Sequence, residues 1–257
     1  MRLLMTGNIQ VSNEGKVAIV TRGSRGIGAS IARRLASEGF TVIVNYACRV
    51  EDAKAVVADI RAAGGRAEAI QANVSAPAQV AAMFDQAATL FGGVDVLVNN
   101  TGVMQAGLVS LSGMDDTMFD KIVDTDLKGT FNTLRVAAKK LRRGGRIVNL
   151  SSGAAKLALP GYSVYAATKS AVETMASIFA KELRGGNIPV NAVAPGPTAT
   201  GLFLTGKPQE QNRSTDQDAA DGAVGQARRH RRGRFLPRRP NGGWVKGQML
   251  HANGGIV

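Results

Sequence analysis

The sequence predicts an α/β fold, one doubly wound domain on a parallel sheet, from three observations. Short apolar runs of buried-strand type alternate with longer helical stretches along most of the chain, the signature of repeated strand–helix–strand units. The first such run leads directly into a glycine-rich turn and then an alanine-rich helix, the opening of folds that hold a nucleotide at the carboxyl edge of the sheet. A hydrophobic content of 44% over 257 residues is enough for one large core.

Taken in order, residues 16–21 form the first strand, RGSRGIG spans residues 22–28, and a helix runs on to Glu38. Glycines in such a turn let the backbone approach a pyrophosphate, which the free N–H groups and dipole of the helix N-terminus then hold. Thr21, Gly23, Ser24, Arg25, Gly26, Ile27 and Gly28 are therefore candidate cofactor contacts. Residues 41–45 form the second strand. An acidic side chain at its end would bind a ribose 2′-hydroxyl and repel a 2′-phosphate, but this chain has Asn45 and Tyr46, with Arg49 close behind and Arg25 in the turn. The charge pattern favours NADP(H), with NAD(H) the less favoured alternative. A helix over 50–63 ends at Gly64 and Gly65, a third strand covers 66–71, and Asn73 and Val74 follow. Pro77 at a first helical position opens a helix to Phe91, and a strand over 94–98 runs into Asn99, Asn100, Thr101 and Gly102. One long helix is expected over 116–141, a strand over 146–151, a helix continuing to Glu182, a strand over 189–194, the turn PGPTAT at 195–200, and a last strand within 244–255.

Ser152 would end the strand at 146–151, and Tyr165 and Lys169 stand four residues apart, hence on one face of a helix. A phenol is a poor acid near neutrality; a fixed cation one turn away favours its ionised form and suits it to proton transfer. Ser152 would hydrogen-bond a substrate carbonyl, making the three a proton-donating carbonyl site. No metal-ligand set is expected.

These motifs resemble those of the short-chain dehydrogenase/reductase family. Thr21, Gly26 and Gly28 match its Thr-Gly-x-x-x-Gly-x-Gly loop, with Arg22 where the first glycine belongs and Gly23 next to it to relieve the turn. Asn73-Val74 stands where the family has Asp-Val holding the adenine, and Asn99-Asn100-Thr101-Gly102 resembles Asn-Asn-Ala-Gly, so Asn73, Val74, Asn99, Asn100 and Gly102 join Asn45 and Tyr46 as expected cofactor contacts. Asp126-Leu127-Lys128-Gly129 stands where relatives carry Asn-Leu-Lys-Gly, whose asparagine holds a water in a proton relay behind the lysine. Asp126 is thereby a fourth catalytic position, and its carboxylate is expected to pair with Lys169. Pro195, Gly196, Thr198 and Thr200 match Pro-Gly-x-x-x-Thr, which implies the Thr198 backbone at the nicotinamide carboxamide and Thr200 on the phosphate side. The resemblance covers roughly residues 15–208 and 242–257, after an N-terminal extension, 1–14. It implies a seven-stranded Rossmann fold and an NADP(H)-dependent oxidoreductase interconverting a ketone and a secondary alcohol, in particular like the 3-oxoacyl-[acyl-carrier-protein] reductases. Lys169 would also hold the cofactor ribose. The substrate would be a small carbonyl or alcohol, an acyl carrier protein is a candidate carrier, and a homo-tetramer or dimer is expected. The competing class is a sensor or scaffold that binds NADP(H) with little turnover.

Cys48 is the single cysteine, which excludes an intrachain disulfide and suits a reducing cytoplasm. No signal-peptide-like or membrane-spanning run is read. A net charge of +13 raises nucleic-acid binding, but residues 212–240 hold eight Arg against three Asp, so +5 of it lies in one segment. That segment, NRSTDQDAADGAVGQARRHRRGRFLPRRP, has no period-3.6 apolar stripe, where the family carries a core and interface helix. A permitted codon choice for ARRHRRGRFLPRRP, read one nucleotide later, gives PDDIAGVVSFLAGP, a capped apolar helix. The same offset from Asn212 gives IDRPIKMPPMERLG. Two compensating frameshifts, near 209–212 and 240–242, account for the segment; a genuine Arg-rich nucleic-acid segment is the rival.

Overall fold

The computed structural model describes residues 13–196, 198 and 245–253. Strands β1 (Val17–Val20), β2 (Thr41–Tyr46), β3 (Arg66–Gln71), β4 (Val94–Asn99), β5 (Leu141–Leu150), β6 (Val190–Pro195) and β7 (Met249–Ala252) lie parallel in one sheet, in the order β3-β2-β1-β4-β5-β6-β7. From β1 the chain steps outward to β2 and β3, then returns to the other side of β1 for β4. The reversal opens a crevice above β1 and β4, where ligands of such sheets sit.

Both faces of the sheet are covered, which is why its strands read as unbroken apolar runs. Period-2 alternation sends Val17 and Ile19 to one face, against Met83 and Phe84 of α3 (Pro77–Phe91), Leu134 of α5 (Gly129–Lys140) and Ala176 of α7 (Ser163–Glu182). It sends Ala18 and Val20 to the other face, against Ala32 and Leu35 of α1 (Gly26–Ser37) and Val56 and Ile60 of α2 (Val50–Ala62).

Two expectations are corrected. The helix predicted over 116–141 is α4 (Asp116–Ile122), a π-helical segment (Val123–Lys128) and α5, and Leu141 already belongs to β5. The wider π turn carries Asp126 into the interior, where its carbonyl accepts the Thr130 hydroxyl at 2.7 Å. The strand predicted from 146 begins at Leu141 because Leu141 pairs with Val94 before the register shifts and resumes at Arg146 opposite Val96. Arg142 is held within this bulge by Asp95, at 3.0 Å. Residues 1–12 of the expected extension, Thr200 and the Arg-rich segment at 212–240 lie outside the described residues. No helix among the described residues is long and apolar enough to cross a membrane.

Candidate active site

The carboxyl ends of β1, β2 and β4 build the floor of the site. The Thr21 hydroxyl accepts the N–H groups of Asn100 at 2.9 Å and Thr101 at 3.0 Å. Asn100 Nδ2 in turn donates to the carbonyls of Thr21 and Arg22, at 3.0 and 3.2 Å. Asn45 is a brace: its Oδ1 accepts the Arg22 N–H at 3.3 Å, its Nδ2 donates to Ala72 O at 3.0 Å, and its carbonyl accepts the Gly23 N–H at 2.9 Å. Tyr46 follows it, half-buried at the sheet edge. Asn99 is buried and donates to Asn149 Oδ1 at 2.8 Å.

The turn after β1 differs from expectation. Gly23 does not relieve it; Arg22 itself takes φ +48°, the left-handed region that costs a side-chain-bearing residue about 1–2 kcal/mol. Gly23 is needed for another reason, since a Cβ there would lie 2.9 Å from Val20 O. A Cβ on Gly28 would clash with Arg22 O and Asn100 Nδ2. Arg25, the N-cap of α1, is extended and no side chain caps the helix. Its first-turn N–H groups are thus left for an anion brought against bare backbone, and the loop fits the diphosphate of a dinucleotide. Asn73 accepts the Ser75 N–H at 3.1 Å and Ser75 hydroxyl at 2.9 Å through Oδ1. Val74 is buried and its carbonyl accepts Asn132 Nδ2 at 2.9 Å.

Across the crevice, α7 carries Tyr165 and Lys169 one turn apart. Lys169 Nζ lies 5.5 Å from the Tyr165 ring centroid, 3.2 Å from Asp126 Oδ2 and 3.5 Å from Leu150 O. Asp126 Oδ1 accepts the Val103 N–H at 2.7 Å. Gly102 closes the cluster: a Cβ on it would lie 3.0 Å from Lys169 Nζ. Ser152 lies between β5 and the short helix α6 (Ala154–Leu157), and its Oγ accepts the Ala154 N–H at 3.2 Å. Beside it the Gly153 N–H donates to Pro195 O at 2.9 Å, the Gly196 N–H to Ala252 O at 3.1 Å, and the Thr198 hydroxyl to Gly196 O at 2.9 Å. Ser151, which the sequence did not single out, donates to Glu173 Oε1 at 2.6 Å.

Tyr165, Lys169 and Asp126 are 7%, 4% and 0% exposed, so the charges of Lys169 and Asp126 depend on each other rather than on water. Burial raises the Asp126 carboxyl above its ordinary value, opposed by Lys169, the Val103 N–H and Arg22. Burial works to lower the Lys169 ammonium, but the neighbouring Asp126 and Tyr165 outweigh it and its pKa lies above the ordinary lysine value. Three favourable groups face the Asp126 carboxylate, and the geometry supports an ion pair, as the sequence led us to expect.

Arg22 is the residue whose role the spacing did not reveal. Its Nη1 donates to Gly102 O, and burial, then Arg25, lowers its pKa to about 10. It lines a cleft of about 740 Å³ between the glycine turn and the segment from Val103 to Ala106. Arg25, Arg33, Arg49 and Lys121 also line it, against the single carboxylate of Asp52. Arg33 was not foreseen, because it lies one helical turn beyond the glycine motif; it pairs with Asp59 at 2.6 Å.

A short chain dehydrogenase family model matches residues 16–211. The NADPH-dependent aldehyde reductase-like protein, chloroplastic, of Arabidopsis thaliana is 39% identical over 260 residues, covering 95% of this chain and 94% of that one. The 3-oxoacyl-[acyl-carrier-protein] reductase FabG of Staphylococcus aureus is 46% identical over 183 residues, 70% of this chain and 74% of that one. Among solved structures, a short chain dehydrogenase from Burkholderia cenocepacia J2315 in complex with NADP superposes with TM-score 0.87 at 36% identity, over 95% of this chain and 99% of that one. With the seven-stranded parallel sheet, the bare glycine turn and the Tyr165–Lys169 pair above its carboxyl edge, the chain belongs to the short-chain dehydrogenase family.

Proposed function

We propose that this oxidoreductase uses NADP(H) to interconvert a ketone and a secondary alcohol, a 3-oxoacyl thioester being one candidate substrate. The observation that carries this is the placement of the Lys169 ammonium 5.5 Å from the Tyr165 ring, opposite the phosphate-fitting turn. Thr21, Gly23, Ser24, Gly26, Ile27 and Gly28 would hold the dinucleotide, with Asn100, Gly102, Lys169, Pro195, Gly196 and Thr198 toward the reacting end. Asn45, Tyr46, Asn73, Val74 and Asn99 complete the proposed cofactor contacts, with Asn73 and Val74 toward the adenine. Arg25 and Arg49 line the cleft and are the cations that favour a 2′-phosphate. The NADP and NADPH in the names of the similar proteins support the same cofactor.

When bound, the cofactor supplies or accepts hydride. Ser152 Oγ holds the substrate oxygen, Tyr165 gives it the proton, and Lys169 fixes the ribose and keeps positive charge beside the phenol. Asp126 holds Lys169 in place. Tyr165→Phe is expected to lower kcat for NADPH-dependent ketone reduction by at least about 100-fold, the usual contribution of a positioned acid, while NADPH still binds, followed by its fluorescence. Undiminished turnover removes Tyr165 from the role. The unusual Arg22 and Asp126 favour a second reading, a weakly active sensor, which the same assay separates by binding without NADPH consumption.

The exposed Cys48 suits a reducing compartment, for which we propose the cytoplasm. Exposed Phe131 and Ile178 on α5 and α7 support a homo-oligomer, tetramer or dimer.

A further inference from the structure

The proposed cofactor path crosses a contact already made by the protein. A dinucleotide with its diphosphate at the glycine turn and its nicotinamide ribose at Lys169 must pass between the turn and Gly102. The Arg22 side chain bridges that gap, its guanidinium donating to Gly102 O. Gly102 is packed so closely on Lys169 that a Cβ there would lie 3.0 Å from Nζ, so this bridge ends at the reacting centre. The backbone of Arg22 sits at φ +48°, and Arg22 and Arg25 line the same cleft.

We propose that the Arg22–Gly102 contact is a latch across the cofactor groove, which an entering dinucleotide must displace. It rests on the cofactor assignment above. Binding then proceeds through the fraction of molecules in which the guanidinium has let go, which slows association. A ligand confined to the adenosine half does not cross the latch and gains nothing from its opening.

The test is stopped-flow mixing of parent, Arg22→Gly and Arg22→Ala proteins with NADPH, read by nicotinamide fluorescence, and with adenosine 2′,5′-bisphosphate, read by its competition with NADPH. Both variants should associate with NADPH about tenfold faster, the effect of freeing one charge-assisted hydrogen bond, while adenosine 2′,5′-bisphosphate, which loses a nearby positive charge and crosses no latch, should bind no more tightly. Arg22→Ala keeps the backbone strain and Arg22→Gly relieves it, so agreement between them assigns the effect to the guanidinium. NADPH binding at equal or slower rates in the variants overturns the latch alone. Absence of NADPH binding by parent and variants overturns the cofactor assignment and the latch with it.

Discussion

At Asp126 the chain buries a carboxylate 3.2 Å from the Lys169 ammonium, at a position where an asparagine would bring hydrogen bonds without charge. Burial raises this carboxyl above its ordinary value of 3.8, so the folded protein keeps the proton to higher pH than the unfolded chain does. The resulting stability is complete below about pH 4 and is lost as pH rises through the raised value, by about 1.4 kcal/mol for each unit between the two. The Lys169 pKa is also raised; its contribution is complete below the ordinary lysine value of 10.5 and is lost only as pH rises through the raised one, so it is level across the acid range. Asp126→Asn removes the acid-range loss. The melting temperature of the variant, relative to the parent, is expected to climb from pH 4 to pH 7, and parallel melting curves for the two proteins would contradict the buried-carboxylate account.

Among the elements, α1 does most to define the site, because its first turn abuts both the Arg22 carbonyl and the Asn100 amide. Gly28→Ala places a methyl group against those two fixed groups. A cost of about 1–3 kcal/mol is expected, about 2–4 °C of melting temperature per kcal/mol in a domain of this size. NADPH affinity should fall as well, since Asn100 must shift from Thr21. Thermal melts and an NADPH titration measure both, and a parental result in each would show that the turn tolerates a side chain. This turn was legible because strand, glycines and helix follow one another directly, and Tyr165 and Lys169 were legible because four residues in a helix return to one face. What was not legible depends on contacts distant along the chain. Residues 123–128 are helical in character whether the turn is α or π; Asp126 bonding Val103, 23 residues away, accompanies the wider turn. Arg22 reads as a misplaced glycine until its guanidinium is found on Gly102, 80 residues on. Asn45 stands where an acid would read the ribose, and that its amide braces Arg22 and Ala72 shows only in the fold.

For the whole molecule, the decisive feature is how the sheet is completed. β6 and β7 pair in parallel, with Val193 opposite Leu250 and Pro195 opposite Ala252, and a parallel pair needs a crossover connection, usually a helix with an apolar face. The sequence between them contains the stretch 212–240, with eight Arg, three Asp and no apolar stripe. We propose that this stretch is an out-of-frame reading bounded by two compensating frameshifts. In the restored frame PDDIAGVVSFLAGP offers acids at a helix start and then an apolar run, and the segment's charge falls from +5 to about 0, taking the chain from +13 to about +8 by the same count. Resequencing the gene across codons 205–245 is expected to show an insertion or deletion near each boundary relative to a close relative. A clean read encoding the Arg-rich string, with no such changes, would instead make the segment part of the protein. Salt-dependent binding of nucleic acid by the full chain would then be the expected property, and the crossover into β7 would have to be made without an apolar helix at 212–240.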